Sequence, residues 1–142
     1  MSMSGGTVGE VTSAEAYDAL ESTPDARLVD VRTRAEWTFV GVPLAGGTTN
    51  RTVFLEWQRF PTMDVDPRFH EELTRACPDR AAPLYFICRS GARSLAAAEL
   101  AASLGYQRCY NVVDGFEGPP DPDGHRGKIS GWKAAGLPWR QS

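Results

Sequence analysis

Apolar and polar positions along this chain fall into two alternating patterns. Short, nearly continuous apolar runs recur at Leu28-Val29-Asp30-Val31, Thr52-Val53-Phe54-Leu55-Glu56-Trp57, Leu84-Tyr85-Phe86-Ile87 and Cys109-Tyr110-Asn111-Val112-Val113. Each has the length and the β-branched and aromatic content of a buried strand. Between them apolar residues take helical spacing: Ala16, Tyr17 and Leu20, then Phe69, Leu73 and Ala76, then the alanine-rich stretch Leu95 to Leu104. Thr12-Ser13-Ala14-Glu15 and Thr33-Arg34-Ala35-Glu36 each fit a capping box, in which the threonine side chain and the glutamate three residues on satisfy each other's backbone N–H groups. The first box opens a helix that stops before Pro24, and the second opens a short helix with Trp37 turned inward. Asp66-Pro67 predicts an N-cap followed by proline at the first helical position, with Pro78 closing the segment. Gly105 stands where the alanine-rich helix should end in the left-handed conformation.

The remaining segments carry turn chemistry. Val40 to Gly47 turns around Pro43, Phe60 to Asp66 reads as an irregular loop, and Asp114 to Gly127 is a loop rich in Gly, Pro and Asp. Ser130 to Ala135 is expected to form a last short helix, stopped by Gly136. Residues 1–9 are small and polar and read as a flexible tail, leaving 10–142 as one domain. Strands alternating with helices imply right-handed crossovers and a parallel sheet covered on both faces. In such sheets ligands bind beyond the carboxyl ends of the strands, where both Cys88 and the pair Asp30 and Arg32 fall.

Composition narrows the partners. The chain has 142 residues, 42% apolar and 23% charged, with a net charge of −3. That length buries a real core, and no basic cluster predicts nucleic acid as a partner. No apolar run is long enough to span a bilayer, so no membrane partner is expected. The start of the chain lacks the basic and apolar regions of a secretory signal. Three irregularly spaced cysteines make no disulfide framework, and a reducing, cytoplasmic compartment is the default.

The chemistry concentrates at the end of the third apolar run. Cys88 is followed by Arg89-Ser90-Gly91-Ala92-Arg93-Ser94 and then by the alanine-rich helix. A tight strand-to-helix turn aims successive N–H groups inward, and the helix adds its positive end. Both features favour an anion, and a thiolate is one. Arg89 and Arg93 flank the same spot, an electropositive setting that marks reactive cysteines.

These residues resemble the rhodanese-like domain, a single-domain sulfurtransferase family. The resemblance rests on Val29-Asp30-Val31-Arg32 with Glu36-Trp37, on the loop Cys88 to Ser94, on Leu104-Gly105-Tyr106 with Asn111-Val112 and Gly115, and on Gly131-Trp132 with Gly136-Leu137-Pro138. It implies a three-layer α/β/α fold with a central, mostly parallel five-stranded sheet. It also implies that Cys88 is the nucleophile, moving a sulfane sulfur from a donor such as thiosulfate to a thiol or cyanide through a persulfide. Arg89, Ser90, Gly91, Ala92, Arg93 and Ser94 would then hold the small anionic donor, with Asp30 and Arg32 in support, and no cofactor or metal is implied. Two arginines beside the loop suit a dianion. Where the family usually has Gly-His-Ile-Pro-Gly-Ala, this chain has Val40-Gly41-Val42-Pro43-Leu44-Ala45, without the histidine. Segments 51–66 and 118–127 are longer than in a minimal member and are candidates to border the pocket and select the substrate.

Two alternatives stand beside this reading. One is a phosphatase or arsenate reductase on the same fold; those enzymes place arginine six residues after cysteine, whereas Arg93 is five after Cys88 and Ser94 takes the sixth position. The other is a binding module without catalysis. Cys77 and Cys109 are the candidate resolving thiols for a Cys88 persulfide. His70 reads as part of a solvated helix face, His125 with Asp121 and Asp123 as turn chemistry, and Trp37, Trp57, Trp132 and Trp139 as core or rim packing.

Overall fold

Five strands form one parallel sheet whose middle strand ends at Cys88. The computed structural model describes residues 8–45, 51–59 and 64–141. In chain order its elements are β1 (Val8–Val11), α1 (Ser13–Ser22), β2 (Arg27–Asp30), α2 (Arg34–Phe39), β3 (Val42–Pro43), β4 (Thr52–Phe54), β5 (Gln58–Arg59), β6 (Asp64–Val65), α3 (Phe69–Ala76), β7 (Leu84–Ile87), α4 (Ala92–Ser103), β8 (Cys109–Val112) and β9 (Trp139–Arg140). The main sheet runs β1-β8-β7-β2-β4, with every pairing parallel. No helix among the described residues is long and apolar enough to cross a membrane.

The alternation of side chains along each strand divides the core into two layers. Leu84 and Phe86 of β7 and Val29 of β2 join Phe69 and Leu73 of α3 and Ala97, Ala98 and Ala101 of α4 on one face. Tyr85, Ile87 and Leu28 join Ala16 and Leu20 of α1, Phe116 and Trp132 on the other. The sheet is therefore sandwiched, and the three-layer α/β/α architecture holds. Alanine at the buried positions of α4 lets that helix lie close on the sheet.

Both capping boxes form, at Thr12 with Glu15 and at Thr33 with Glu36, and Gly105 takes a φ of 97°. Trp37 is half-buried and packs edge-on against Phe54, with centroids 5.3 Å apart. Several expectations need correction. Val8 and Gly9 are not tail but the first half of β1, paired with Cys109 and Tyr110 of β8; residues 1–7 lie outside the described residues. The run from Thr52 to Trp57 is strand only to Phe54, after which Leu55 and Trp57 donate to the carbonyls of Asp30 and Val31 while the chain bends away. The expected loop from Phe60 to Asp66 contains β6, paired antiparallel with β5; 60–63 lie outside the described residues, as do 46–50 within the turn around Pro43. Within that turn Val42 and Pro43 form β3, paired antiparallel with β9.

Helix α3 starts two residues later than Pro67, because the Asp66 carboxylate accepts from Arg68 N–H at 2.9 Å and closes a separate turn first. Helix α4 begins at Ala92, so Ala92, Arg93 and Ser94 are its first turn. No last helix forms at Ser130 to Ala135. The N–H groups of Trp132 and Lys133 go instead to the carbonyls of Gly115 and Phe116, at 2.9 and 3.1 Å. That binding seats the fully buried Trp132 under α1, edge-on to Tyr17 with centroids 5.7 Å apart.

Candidate active site

The cysteine loop is built around an uncapped helix end. Gly91 is the N-cap of α4 and has no side chain to receive the first N–H groups. The Cys88 sulfur takes that place: it accepts from Gly91 N–H at 3.2 Å and from Ser94 N–H at 3.3 Å. The Ser94 Oγ lies 3.2 Å from the same sulfur, where either group can donate. Among the described residues the N–H groups of Ser90, Ala92 and Arg93 have no acceptor. A turn of inward N–H groups ending in a helix N-terminus is an anion cradle. Cys88 is 1% exposed and Ser94 is fully buried, whereas Arg89 and Ser90 are exposed.

Two glycines make this geometry possible. Gly91 has φ 110°, and a Cβ there would stand 2.5 Å from the Val113 carbonyl oxygen. Gly115 has φ 65°, and a Cβ there would stand 2.4 Å from the Arg89 carbonyl oxygen. The turn at 113–118 can therefore press against the cysteine loop, with Phe116 N–H donating to the Cys88 carbonyl at 2.8 Å and Glu117 N–H to that of Arg89 at 3.0 Å. Asp114 anchors the turn by accepting from Ser13 N–H and from Gly131 N–H.

Arg93 does not present a free guanidinium to a donor. Its Nη1 and Nη2 donate to the two carboxylate oxygens of Glu36 at 2.7 and 2.9 Å. Glu36 is the capping glutamate of α2, and its Oε1 also accepts from Thr33 N–H at 3.1 Å. Burial works to raise the Glu36 pKa, but the hydrogen bonds from Arg93 and Thr33 outweigh it and hold the group below the usual carboxylate range. The expected cluster of two unpaired arginines is thus reduced to Arg89, because a carboxylate 57 residues away in sequence meets the other.

Asp30 and Arg32 form a fully buried ion pair, with Arg32 Nη2 2.8 Å from Asp30 Oδ2. Arg32 also donates to the Gly41 carbonyl at 2.8 Å and lies over the Phe116 ring at 4.2 Å. The pair holds the end of β2 to the turn before β3 and under the 113–118 turn, a supporting position. It does not orient Arg93, whose partner is Glu36.

Sequence reasoning passed over Asn111 as a site residue. It is 4% exposed on β8, its Nδ2 donates to the Gly91 carbonyl at 3.1 Å, and its Oδ1 accepts from Ser94 Oγ at 2.5 Å. The available signal was a carboxamide inside an otherwise buried strand, since buried polar groups require partners. Cys77 and Cys109 sit at the wrong end of the sheet to resolve a Cys88 persulfide. Cys109 is in register with Leu84, four residues from Cys88, or roughly 13 Å at strand rise. Cys77 lines a cleft with Ala82 and Leu84 at that same end. A disulfide needs Cα atoms within about 7 Å. Asp121 spends its carboxylate on the N–H groups of Asp123 and His125, at 3.0 and 2.8 Å, which is the turn chemistry expected there.

A buried cysteine seated on a helix N-terminus, beyond the middle strand of a parallel five-stranded sheet, defines an α/β protein with an anion-cradling cysteine loop. Residues 8–142 match the family described as the STR4 middle domain. The chain is 28% identical over 132 residues to rhodanese-like domain-containing protein 4, chloroplastic, of Arabidopsis thaliana, covering 92% of this chain and 25% of that one. The crystal structure of Rv0390 from M. tuberculosis is similar with a TM-score of 0.85 and 46% identity, over 95% of this chain and 98% of the other. The polysulfide-sulfur transferase homodimer of Wolinella succinogenes shares the fold, with a TM-score of 0.67 and 21% identity over 95% and 80% of the two chains. The chain belongs to the rhodanese-like family.

Proposed function

We propose that this protein is a sulfurtransferase working through a Cys88 persulfide, with a small anionic sulfane-sulfur donor such as thiosulfate and a thiol or cyanide as acceptor. The observation that carries this reading is the sulfur in the cap position of α4, with N–H groups of Gly91 and Ser94 on it and those of Ser90, Ala92 and Arg93 unclaimed beside it. The Cys88 thiolate attacks the outer sulfur of thiosulfate. The new S–S bond forms as the old one breaks, and sulfite departs with the bonding pair and no need of a proton. The persulfide is left as an anion on the terminal sulfur, within a ring of donors that serves it as an oxyanion hole serves oxygen. Cyanide then takes that sulfur as thiocyanate and releases the thiolate. Splitting the transfer in two is covalent catalysis.

A phosphatase would need a guanidinium to clamp phosphate, and the bidentate engagement of Arg93 by Glu36 speaks against that use. Mass spectrometry of the protein after thiosulfate tests the proposal: it should gain one sulfur atom, lost again on adding cyanide. Cys88→Ser should abolish both the gain and the turnover while the protein stays folded. Turnover by that variant above about a tenth of wild type would rule out Cys88 as the nucleophile.

A further inference from the structure

The pairing of Arg93 with Glu36 bears on which donor the cradle accepts, an inference that rests on the sulfurtransferase reading above. Arg93 stands in the first turn of α4, near enough for its charge to be felt at the Cys88 sulfur. Both arms of its fork are taken by Glu36. Glu36 is itself held by the capping box of α2, and its side chain is only 19% exposed. Releasing Arg93 to an incoming anion would break a bidentate ion pair and loosen the start of a helix. Arg32 is neutralised in the same way by Asp30. Beside the loop and beneath the 113–118 turn, Arg93 and Arg32 are thus each matched by a carboxylate, and Arg89 is exposed to solvent screening. An entering donor meets N–H dipoles beside an Arg93 already committed to Glu36, with Lys133 held over the Phe116 ring at 5.4 Å.

We infer that Glu36 is a specificity-determining residue: by occupying Arg93 it favours sulfane donors with a single negative charge, hydropersulfides and thiosulfonates, over the dianion thiosulfate, which still reacts but more slowly. A dianion approaching the Cys88 thiolate finds Arg93 already neutralised by the Glu36 carboxylate, and each extra negative charge then adds repulsion that the dipoles alone do not offset. Transfer from a thiosulfonate is otherwise the same reaction. The thiolate attacks the outer sulfur, the S–S bond to the sulfonyl sulfur breaks, and a sulfinate leaves with the bonding pair.

Glu36→Gln tests this, because glutamine keeps the capping-box acceptor while removing the charge. Single-turnover persulfide formation on Cys88 is followed by mass, with thiosulfate and methanethiosulfonate compared at one ionic strength. The rate ratio of thiosulfate to methanethiosulfonate should rise roughly tenfold in E36Q, the order expected of one unit charge at an effective protein dielectric. An unchanged ratio, with both donors faster or slower together, would overturn the inference while leaving sulfur transfer intact. If the wild type takes sulfur from neither donor, the sulfurtransferase reading fails instead. The charge claim is then read by calorimetric titration with the leaving groups themselves. E36Q should tighten sulfite, at a pH where it is a dianion, several-fold more than methanesulfinate, and equal changes for the two would overturn it.

Discussion

Ser94→Ala removes one oxygen from the cysteine loop and leaves the backbone N–H of the same residue in place. The Ser94 hydroxyl has a single proton and three neighbours that can accept it: Asn111 Oδ1 at 2.5 Å, the Cys88 sulfur at 3.2 Å and the Gly91 carbonyl at 3.2 Å. Asn111 is the nearest, so the resting proton faces the carboxamide. It must turn to the sulfur to help an anion there. A hydrogen bond to a charged group contributes about 1.5–3 kcal/mol, and each 1.36 kcal/mol is about tenfold in rate. Persulfide formation should therefore slow by roughly 10- to 150-fold in S94A. Stability should fall as well, because the buried Asn111 Oδ1 loses its donor at a cost of about 1–3 kcal/mol. Rapid-quench mass spectrometry reads the first effect and thermal unfolding the second. The combined variant S94A/N111L separates them: removing both partners of a buried pair is close to neutral, so most of the stability should return, less the Asn111 Nδ2 bond to the Gly91 carbonyl, and the rate should not. A slowing of less than about twofold in S94A would refute a role for the hydroxyl at the sulfur.

Two further outcomes follow from burial. Arg32→Met leaves the Asp30 carboxylate fully buried without its partner, and thermal or urea unfolding should show a loss of about 3–5 kcal/mol, most of it restored when Asp30 is also made apolar. Burial pushes the Cys109 thiol up to about 11 and also raises that of Cys77. In the native protein neither should be labelled by iodoacetamide near pH 8, and labelling of Cys109 should rise only as the pH approaches 11. The unfolded chain gives up that proton first, so the stability contributed by the neutral Cys109 is complete below its unfolded pKa and is lost as pH climbs through the folded one. Rapid labelling of Cys109 at pH 8 without unfolding would contradict this.

Features determined within a few residues were legible in the chain itself. The two capping boxes, the four-residue strand Leu84–Ile87, the left-handed Gly105 and the cysteine turn into a helix all appear where the local pattern puts them, because each is specified by contacts spanning no more than one or two turns. Elements made by pairing distant backbone were not. Val8 to Val11 has no strong strand signal of its own and becomes β1 because β8 presents an edge of unpaired N–H and C=O groups. Trp139 and Arg140 become β9 only against β3, and the segment expected as a last helix is drawn onto the carbonyls of Gly115 and Phe116.

The site divides along the same line. The sequence by itself located Cys88 at the start of a strand-to-helix turn and the N–H groups behind it, while the need for glycine at 91 comes from the Val113 carbonyl packed against it. Tertiary structure decided the charge of the place. Glu36 reaches Arg93 across 57 positions and Asn111 reaches Ser94 across 17, while the parallel register carries Cys109 to the far end of the sheet. Ion pairs and buried hydrogen bonds depend on distances of a few ångströms between side chains, and those distances exist only once the strands have taken their order.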